Sequence, residues 1–394
     1  MDKNNKTMLE GIRIADMSNV IFGPYCTQIL SDLGAEVIKV EASEGDSVRL
    51  IGTPAKTPFM GPVHMRVNRG KRSVAWNLKS EFGQTAIRRL LATSDVFIHN
   101  TRSEAANRLG LDYETVRAIR PDIIYVHCTG FDTRGPYAGL QAYDDIIQSA
   151  SGMASLLPRV DGNPQPRFFP MAVADKVSGL HGVYAVLAAI IHRLRTGEGQ
   201  RVEVPMFEVM ASFNLTEHLC DLSFVPPTGP SGYTRQLDPV RQPLKTKDGY
   251  ISIAPYLDDR WVRFFVVAGH QEVLQDERLI DAAARRKNTD LMYQLLAQIA
   301  QEKTTKQWLQ LLKVANIPAM HINSLEDLLK DPQLKATGLF QERVHPTEGN
   351  YIEVNSPVRF SRQTKTESRH APTIGEHSEE VELELGLANL ATDS

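Results

Sequence analysis

Over its first 130 residues the chain alternates short apolar runs with helix-like stretches, and this alternation limits the fold more than any other feature. Ile12 to Met17, Glu36 to Glu41, Ser73 to Trp76, Val96 to His99 and Ile123 to His127 read as strands. Helical patterns fall between them: Pro24 to Leu33, closed by Gly34, then Thr85 to Leu91 and Tyr113 to Ile119. Strand, helix, strand in succession predicts an α/β fold with a parallel sheet and right-handed crossovers. A long helix follows Asp175 and ends near Thr196, with Gly197 placed to stop it. Arg201 to Val204 adds a strand, and a helix then runs to about Cys220.

The composition changes at Val225 to Tyr233, where three prolines and two glycines mark a linker. Beyond it, Asp248-Gly249 between alternating segments predicts a hairpin. Helical runs follow at Asp258–Val267, Asp290–Gln301 and Lys306–Ala315, so 225–330 reads as a smaller α+β domain. The remaining segment, 331–394, carries Tyr351-Ile-Glu-Val, Pro357-Val-Arg-Phe and a short acidic helix, and reads as ordered.

Composition removes several function classes. A net charge of −3 and the lack of a basic-aromatic tract argue against a nucleic-acid partner. Three cysteines, Cys26, Cys128 and Cys220, lie far apart without CxxC spacing, so neither a disulfide framework nor a metal site is expected. The polar start, Met1 to Thr7, lacks a leader's apolar core, and the longest apolar run is short for a bilayer. The expectation is a cytoplasmic protein with no membrane partner.

Asp175 heads a stripe of small residues. With Ser178, Gly179 and Gly182 it falls at i, i+3, i+4 and i+7, one face of a helix. Each interior glycine costs roughly 1 kcal/mol relative to alanine, so a close approach by backbone or ligand is expected there. Two readings of Asp175 stand side by side: an N-cap whose charge suits the helix N-terminus, and a nucleophile with room for a substrate.

Other sites fall away. The turn Ser18 to Pro24 has one glycine, not GxGxxG, and sets Ile21 and Phe22 where a pyrophosphate needs bare backbone. No GxxxxGK[ST], GxSxG or HExxH occurs. Arg66, Arg69, Lys71 and Arg72 place four cations in seven residues, either a solvated loop or a phosphate cradle.

Taken in order, these pieces resemble the family III CoA transferases, the group that includes formyl-CoA transferase and the carnitine-CoA transferases. The matching residues are Leu9 to Asp16, Gly23-Pro24, Leu30 to Glu41, Asn68 to Val74, Arg108 to Leu111, Gly130-Phe131, Gly135 to Tyr137, Tyr143-Asp144, the Asp175 run, Arg195 to Gln200, Thr246 to Tyr250 and Ile374 to His377. The resemblance spans essentially the whole chain.

It implies a Rossmann-like large domain built from 1–224 with 331–394 returning to it, a small domain at 225–330, and an interlocked homodimer. It implies that Asp175 is a nucleophilic carboxylate, ionised at neutral pH from an ordinary pKa of about 3.9. CoA would move from an acyl-CoA donor to a carboxylic acid acceptor through aspartyl anhydride and aspartyl-CoA thioester intermediates. Coenzyme A is then a substrate; no tightly bound cofactor and no metal is implied. Val20, Ile21 and Phe22 match the turn lining the thiol arm. Trp76, Asn77 and Lys79, with Asn100, Thr101, Arg102 and Arg108, match segments that contact the nucleotide and phosphates.

Two departures stand out. Ile21 replaces the glutamine of formyl-CoA transferase, which argues against oxalate or formate. Ala42 replaces a CoA-binding arginine, whose role Lys71 or Arg72 would take over. The α-methylacyl-CoA racemases share the fold but use a histidine before an aspartate; here Tyr143 precedes Asp144, and a tyrosine of pKa about 10 is a poor second base. Tyr143 and Asp144 are counted with the CoA-site residues. The alternatives are a racemase or isomerase and a non-catalytic CoA-binding protein. Tyr233, Arg235 and Arg241 are candidates for lining the acid site, and the two arginines hint at a dicarboxylate.

Overall fold

A computed structural model describes residues 7–362 and 369–388. The N-terminal hexapeptide and the outer limits of the expected domains lie outside them. Six strands pair in parallel: β1 (Arg13–Met17), β2 (Glu36–Glu41), β3 (Arg72–Ala75), β4 (Val96–His99), β5 (Ile124–Thr129) and β6 (Gln200–Pro205). Their order in the sheet is β3-β2-β1-β4-β5-β6. The α/β class is the one expected, and the strands match the apolar runs to within a residue or two. Between β1 and β4 the direction of winding reverses. In open parallel sheets, ligands bind at such a point, outside the carboxyl ends of the strands.

Alternation along the strands builds two cores. Ile14, Val37, Val96, Ile98, Ile124 and Val126 face α1 (Phe22–Asp32). Ala15, Ile38, Val40, Phe97 and Tyr125 face α2 (Glu81–Thr93). Each fully buried Val, Leu or Ile contributes roughly 1.5–3 kcal/mol, so both faces need covering. The chain then forms α3 (Ser103–Arg108), α4 (Tyr113–Ile119), α5 (Asp144–Ala150), α6 (Val173–Thr196) and α7 (Met206–His218). Helix α6 covers the α1 side through Ala174, Val186, Ala189 and Ile190. It ends as expected at Gly197, whose φ of +78° suits a residue without Cβ.

By length and composition, α6 is the one helix among the described residues that could cross a membrane, and one third of its apolar window is buried in the protein. Its outward residues Leu180, Tyr184, Ile191 and Leu194 are exposed, with Leu187 partly so.

The chain divides into two compact units. The first comprises Met1–Ser155, Pro166–Thr216 and Gly338–Ser394, and the second Leu156–Gln165 and Glu217–Thr337. In the second, β7 (Leu244–Lys245) and β8 (Tyr250–Ile253) form the hairpin expected at Asp248-Gly249, and β9 (Ala319–His321) adds a third antiparallel strand. Helices α8 (Asp258–Ala268), α9 (Thr289–Ala300) and α10 (Thr305–Val314) pack Trp261, Phe264, Phe265, Leu296 and Trp308 into its core.

The last segment of the first unit supplies a β10 (Phe340–His345)–β11 (Gly349–Val354) pair and α11 (Ser378–Glu384). Helix α11 seals the β3 edge of the sheet. Arg72 donates to Glu380 at 3.0 Å and to Glu384 at 2.6 Å, and Trp76 Nε1 donates to Glu382 at 2.9 Å.

Candidate active site

At the carboxyl end of β1 the chain turns through Ser18, Asn19 and Val20 into α1. Val20 has φ of +68°, a left-handed conformation that a β-branched residue rarely adopts. Two sets of bonds hold it. Asn19 N donates to Asn100 Oδ1 and Asn100 Nδ2 returns to Asn19 O, both at 2.9 Å, which ties the ends of β1 and β4 together. Val20 N donates to Asp46 Oδ1 at 2.9 Å.

A buried polar network supports this turn. Asp16 accepts from Ser18 Oγ and Thr27 Oγ1, each at 2.5 Å, and from Lys71 Nζ at 3.0 Å. Burial opposes its ionisation, but Lys71, Lys39 and the two hydroxyls outweigh it and hold the carboxyl down to about 2. Burial brings the Lys71 ammonium down to about 8 despite Asp16.

Asp175 is not the N-cap expected of it: Ala172 holds that position, Asp175 lies in the first turn of α6, and the helix has no side-chain cap of its own. Asp144 of α5 substitutes for one: its carboxylate accepts from Ala174 N at 3.0 Å. Gln148, one turn on, steadies the approach by accepting from Phe169 N at 2.8 Å and donating to Asp144 Oδ1 at 3.1 Å. Asp175 is 9% exposed, and its carboxylate has no hydrogen-bond partner among the described residues. Burial first, and then the charge of Asp144, push its pKa up to about 7. The sequence expectation of an ordinary aspartate, readily ionised at neutral pH, is therefore corrected: burial and Asp144 oppose its ionisation there.

The small stripe after Asp175 is filled by protein. A Cβ on Gly179 would lie 3.0 Å from the Phe22 carbonyl oxygen and 3.0 Å from the Tyr25 ring, and one on Gly182 would lie 3.0 Å from Cys26 Sγ. The close approach of another backbone, one of the reasons expected for the glycines, is present at Gly179, while Gly182 makes room for the Cys26 side chain. Ser178 Oγ is buried on the same face without a partner. Gly179 faces Phe22, Tyr25 and Cys26, and Gly182 faces Cys26, so the beginning of α6, which carries Asp175, packs near the beginning of α1.

The remaining expected residues separate into two groups. Asn77, Lys79, Arg102, Arg108 and Tyr143 are exposed, while Val20, Ile21, Asn100, Thr101 and Asp144 are partly so. The turn holding Val20 and Ile21 and the segment from Asn100 to Arg102 meet at the switch point. The second group is buried and otherwise engaged. Lys71 is fully enclosed and donates to Asp16, Pro24, Thr27 and Asn68. Arg72 is spent on Glu36, Glu380 and Glu384. Trp76 is 2% exposed beneath α11, and Phe22 belongs to the core.

The phosphate cradle expected at Lys71 and Arg72 is thus corrected: Lys71 is paired with the buried Asp16 and Arg72 with three surface glutamates, Glu36, Glu380 and Glu384. Trp76 and Phe22 are likewise corrected as ligand-facing side chains. Sequence reasoning missed Asp46, Lys39 and Gln148; only the buried charges at Lys39 and Asp46 could have drawn notice, and spacing alone does not pair them. In the second unit, Arg235 stacks over Tyr256 at 4.1 Å.

A sequence model of CoA-transferase family III matches residues 9–378. The chain is similar to the succinate–glutarate CoA-transferase of Agrobacterium fabrum, 34% identical over 97% of this chain and 96% of that one. It is 29% identical to the human succinyl-CoA:glutarate CoA-transferase, over 98% of this chain and 87% of that one. Among solved structures, a CAIB/BAIF family protein from Brucella suis superposes with a TM-score of 0.83 at 32% identity, covering 97% of this chain and all of that one.

Proposed function

Because this chain belongs to CoA-transferase family III and moves CoA between an acyl-CoA and an acid, we propose that Asp175 is the nucleophile of the transfer. The observation that carries this reading is a buried carboxylate without hydrogen-bond partners among the described residues, at the start of a helix that packs closely on α1. Burial raises its basicity, and a more basic carboxylate is the better nucleophile once ionised.

The ionised carboxylate attacks the thioester carbonyl. The tetrahedral oxyanion collapses, the C–S bond breaks, and CoA leaves as thiolate, giving a mixed anhydride. The thiolate then attacks the aspartyl carbonyl, releases the donor acid and forms an aspartyl-CoA thioester. The acceptor carboxylate attacks that thioester, expelling the thiolate and forming a second anhydride. Attack of the thiolate on the acceptor's acyl carbon yields the new acyl-CoA and restores Asp175. Within the 18–21 turn, Ser18, Asn19 and Val20 already donate their N–H groups to Asp16, Asn100 and Asp46, which leaves Ile21 N as the donor at hand for the oxyanions.

CoA is placed along the crevice: Val20 and Ile21 at the thiol arm, Asn100, Thr101 and Asn77 beyond them, and Lys79, Arg102 and Arg108 as the exposed cations for phosphate. Dicarboxylates are the acids exchanged, a reading supported by the names of the succinate and glutarate relatives. The first compact unit acts as the Rossmann-like CoA-binding domain and the second as the small domain; their limits differ from the expected 1–224 with 331–394 and 225–330 in that Leu156–Gln165 and the chain from Glu217 to Thr337 belong to the small unit. Two chains interlock as a homodimer, for which the exposed stripe Leu180, Tyr184, Ile191 and Leu194 provides an apolar surface. The reaction belongs in the cytoplasm, where Cys26, Cys128 and Cys220 remain free thiols.

Intact-mass measurement after incubation with succinyl-CoA alone tests the nucleophile. A CoA adduct is expected on the parent enzyme and none on Asp175→Ala. Full transfer activity in Asp175→Ala would overturn the assignment.

A further inference from the structure

Val20 occupies a conformation that glycine would adopt freely and that an L-residue with a branched Cβ resists. Something must hold it there. Beneath the turn, Asp46 is 3% exposed and Lys39 is fully buried. Asp46 Oδ1 accepts from Val20 N at 2.9 Å and from Val48 N at 3.0 Å, while Oδ2 accepts from Lys39 Nζ at 2.9 Å. Lys39 Nζ also donates to Ser18 O at 2.7 Å. One ion pair thus grips the turn at both ends, at the Ser18 carbonyl and the Val20 amide.

The grip is itself anchored. Asp46 N donates to Glu41 Oε2 at 2.9 Å, and Glu41 is bound by Arg49 at 2.8 Å through Nε and by Ser73 Oγ at 2.8 Å. The Lys39 ammonium keeps its proton: burial opposes the charge, but Asp46 and Asp16 outweigh it. Strained backbone of this kind persists only where its surroundings over-determine it, and such places cluster at functional sites.

We propose that Asp46, paired with Lys39, is a positioning residue of the transfer reaction, holding the Ser18–Val20 turn in its strained shape so that the turn meets the thioester preformed. This rests on the reading above that Val20 and Ile21 line the thiol arm. Asp46 acts through the turn and touches no substrate. Binding that would otherwise have to order the turn finds it ordered.

The test is a double-mutant comparison read in steady-state kinetics with succinyl-CoA and glutarate. In the parent background, Asp46→Ala lets Val20 relax, and the KM for succinyl-CoA rises roughly tenfold, with kcat less affected. In a Val20→Gly background most of that rise disappears, because glycine needs no clamp to adopt the left-handed conformation. A merely structural role for Asp46 would lower the melting temperature equally in both backgrounds and leave the KM ratio independent of residue 20. An equal KM rise in the two backgrounds, or none in either, overturns the proposal. Should Asp46→Ala fail to fold, Asp46→Asn, which keeps an acceptor for Val20 N but loses the charge facing Lys39, is compared in the same two backgrounds with the same criteria. The mass experiment on Asp175→Ala separates the two readings. An adduct that vanishes there while the KM ratios are equal defeats the clamp alone; an adduct that persists defeats the nucleophile.

Discussion

A carboxylate that attacks a carbonyl must be charged, yet burial favours its neutral form. As the proposed nucleophile, Asp175 is caught between these demands, and pH is the variable that reveals it. Its pKa of about 7 predicts that kcat/KM rises with pH through that region and levels above it. Asp144→Asn removes the neighbouring charge and moves the rising limb to lower pH, while its amide oxygen still accepts from Ala174 N. A pH–rate profile flat from pH 5 to 9 would remove Asp175 as the group that must ionise. Stability has the opposite slope. Between the unfolded value, 3.8, and the folded one, about 7, the native chain holds a proton that the unfolded chain has lost. Stability therefore falls as pH rises across that interval, and Asp175→Asn melts higher than the parent at pH 8. Sequence located Asp175 but assigned it an ordinary carboxylate's behaviour, because burial and the approach of Asp144 from 31 positions earlier are products of the fold. Lys71 and Arg72 failed for the same reason: four cations in seven residues look like a phosphate site until the carboxylates facing them are known.

At the level of elements, α1 and α6 decide the geometry. They touch through glycine, so the beginning of α6 packs near the beginning of α1. Gly179→Val forces Cβ and its methyls against the Phe22 carbonyl and the Tyr25 ring, each 3.0 Å from the Cβ position. It is expected to cost about 1–3 kcal/mol in chemical denaturation, from overpacking, and to lower activity more than stability because it displaces Asp175. A variant as stable and as active as the parent would mean that the two helices need not approach. The elements themselves were largely legible. Short apolar runs between helix-like stretches marked the sheet, and turn residues marked the hairpin at Asp248-Gly249 and the stop at Gly197. What the pattern hid were associations over distance: the pairing of β10 with β11, and Asp144 capping a helix that is not its own.

For the whole molecule, the outward face of α6 carries the main expectation. Leu180, Tyr184, Leu187, Ile191 and Leu194 are spaced four, three, four and three apart, a seam that repeats every seven residues. Light scattering coupled to size exclusion is expected to give a dimer near twice 44.0 kDa. Tyr184→Glu with Leu194→Glu should dissociate or aggregate it; a monomeric parent would end the dimer reading. The return of the last segment to the sheet was legible only through family resemblance, since nothing local in 331–394 announces where it will pack.

That return also sets a schedule for synthesis. On the ribosome, all six strands of the parallel sheet emerge by Pro205, but the helix that covers β3 begins only at Ser378. Residues 206–377 must be translated in between, on the order of ten seconds or more. Throughout that interval the nascent sheet has an open border, with Arg72 lacking two of its three carboxylates and the Trp76 indole lacking its acceptor. A chaperone would find its opening there, and the chain leaves that vulnerable state only as its final turns of helix come free of the exit tunnel.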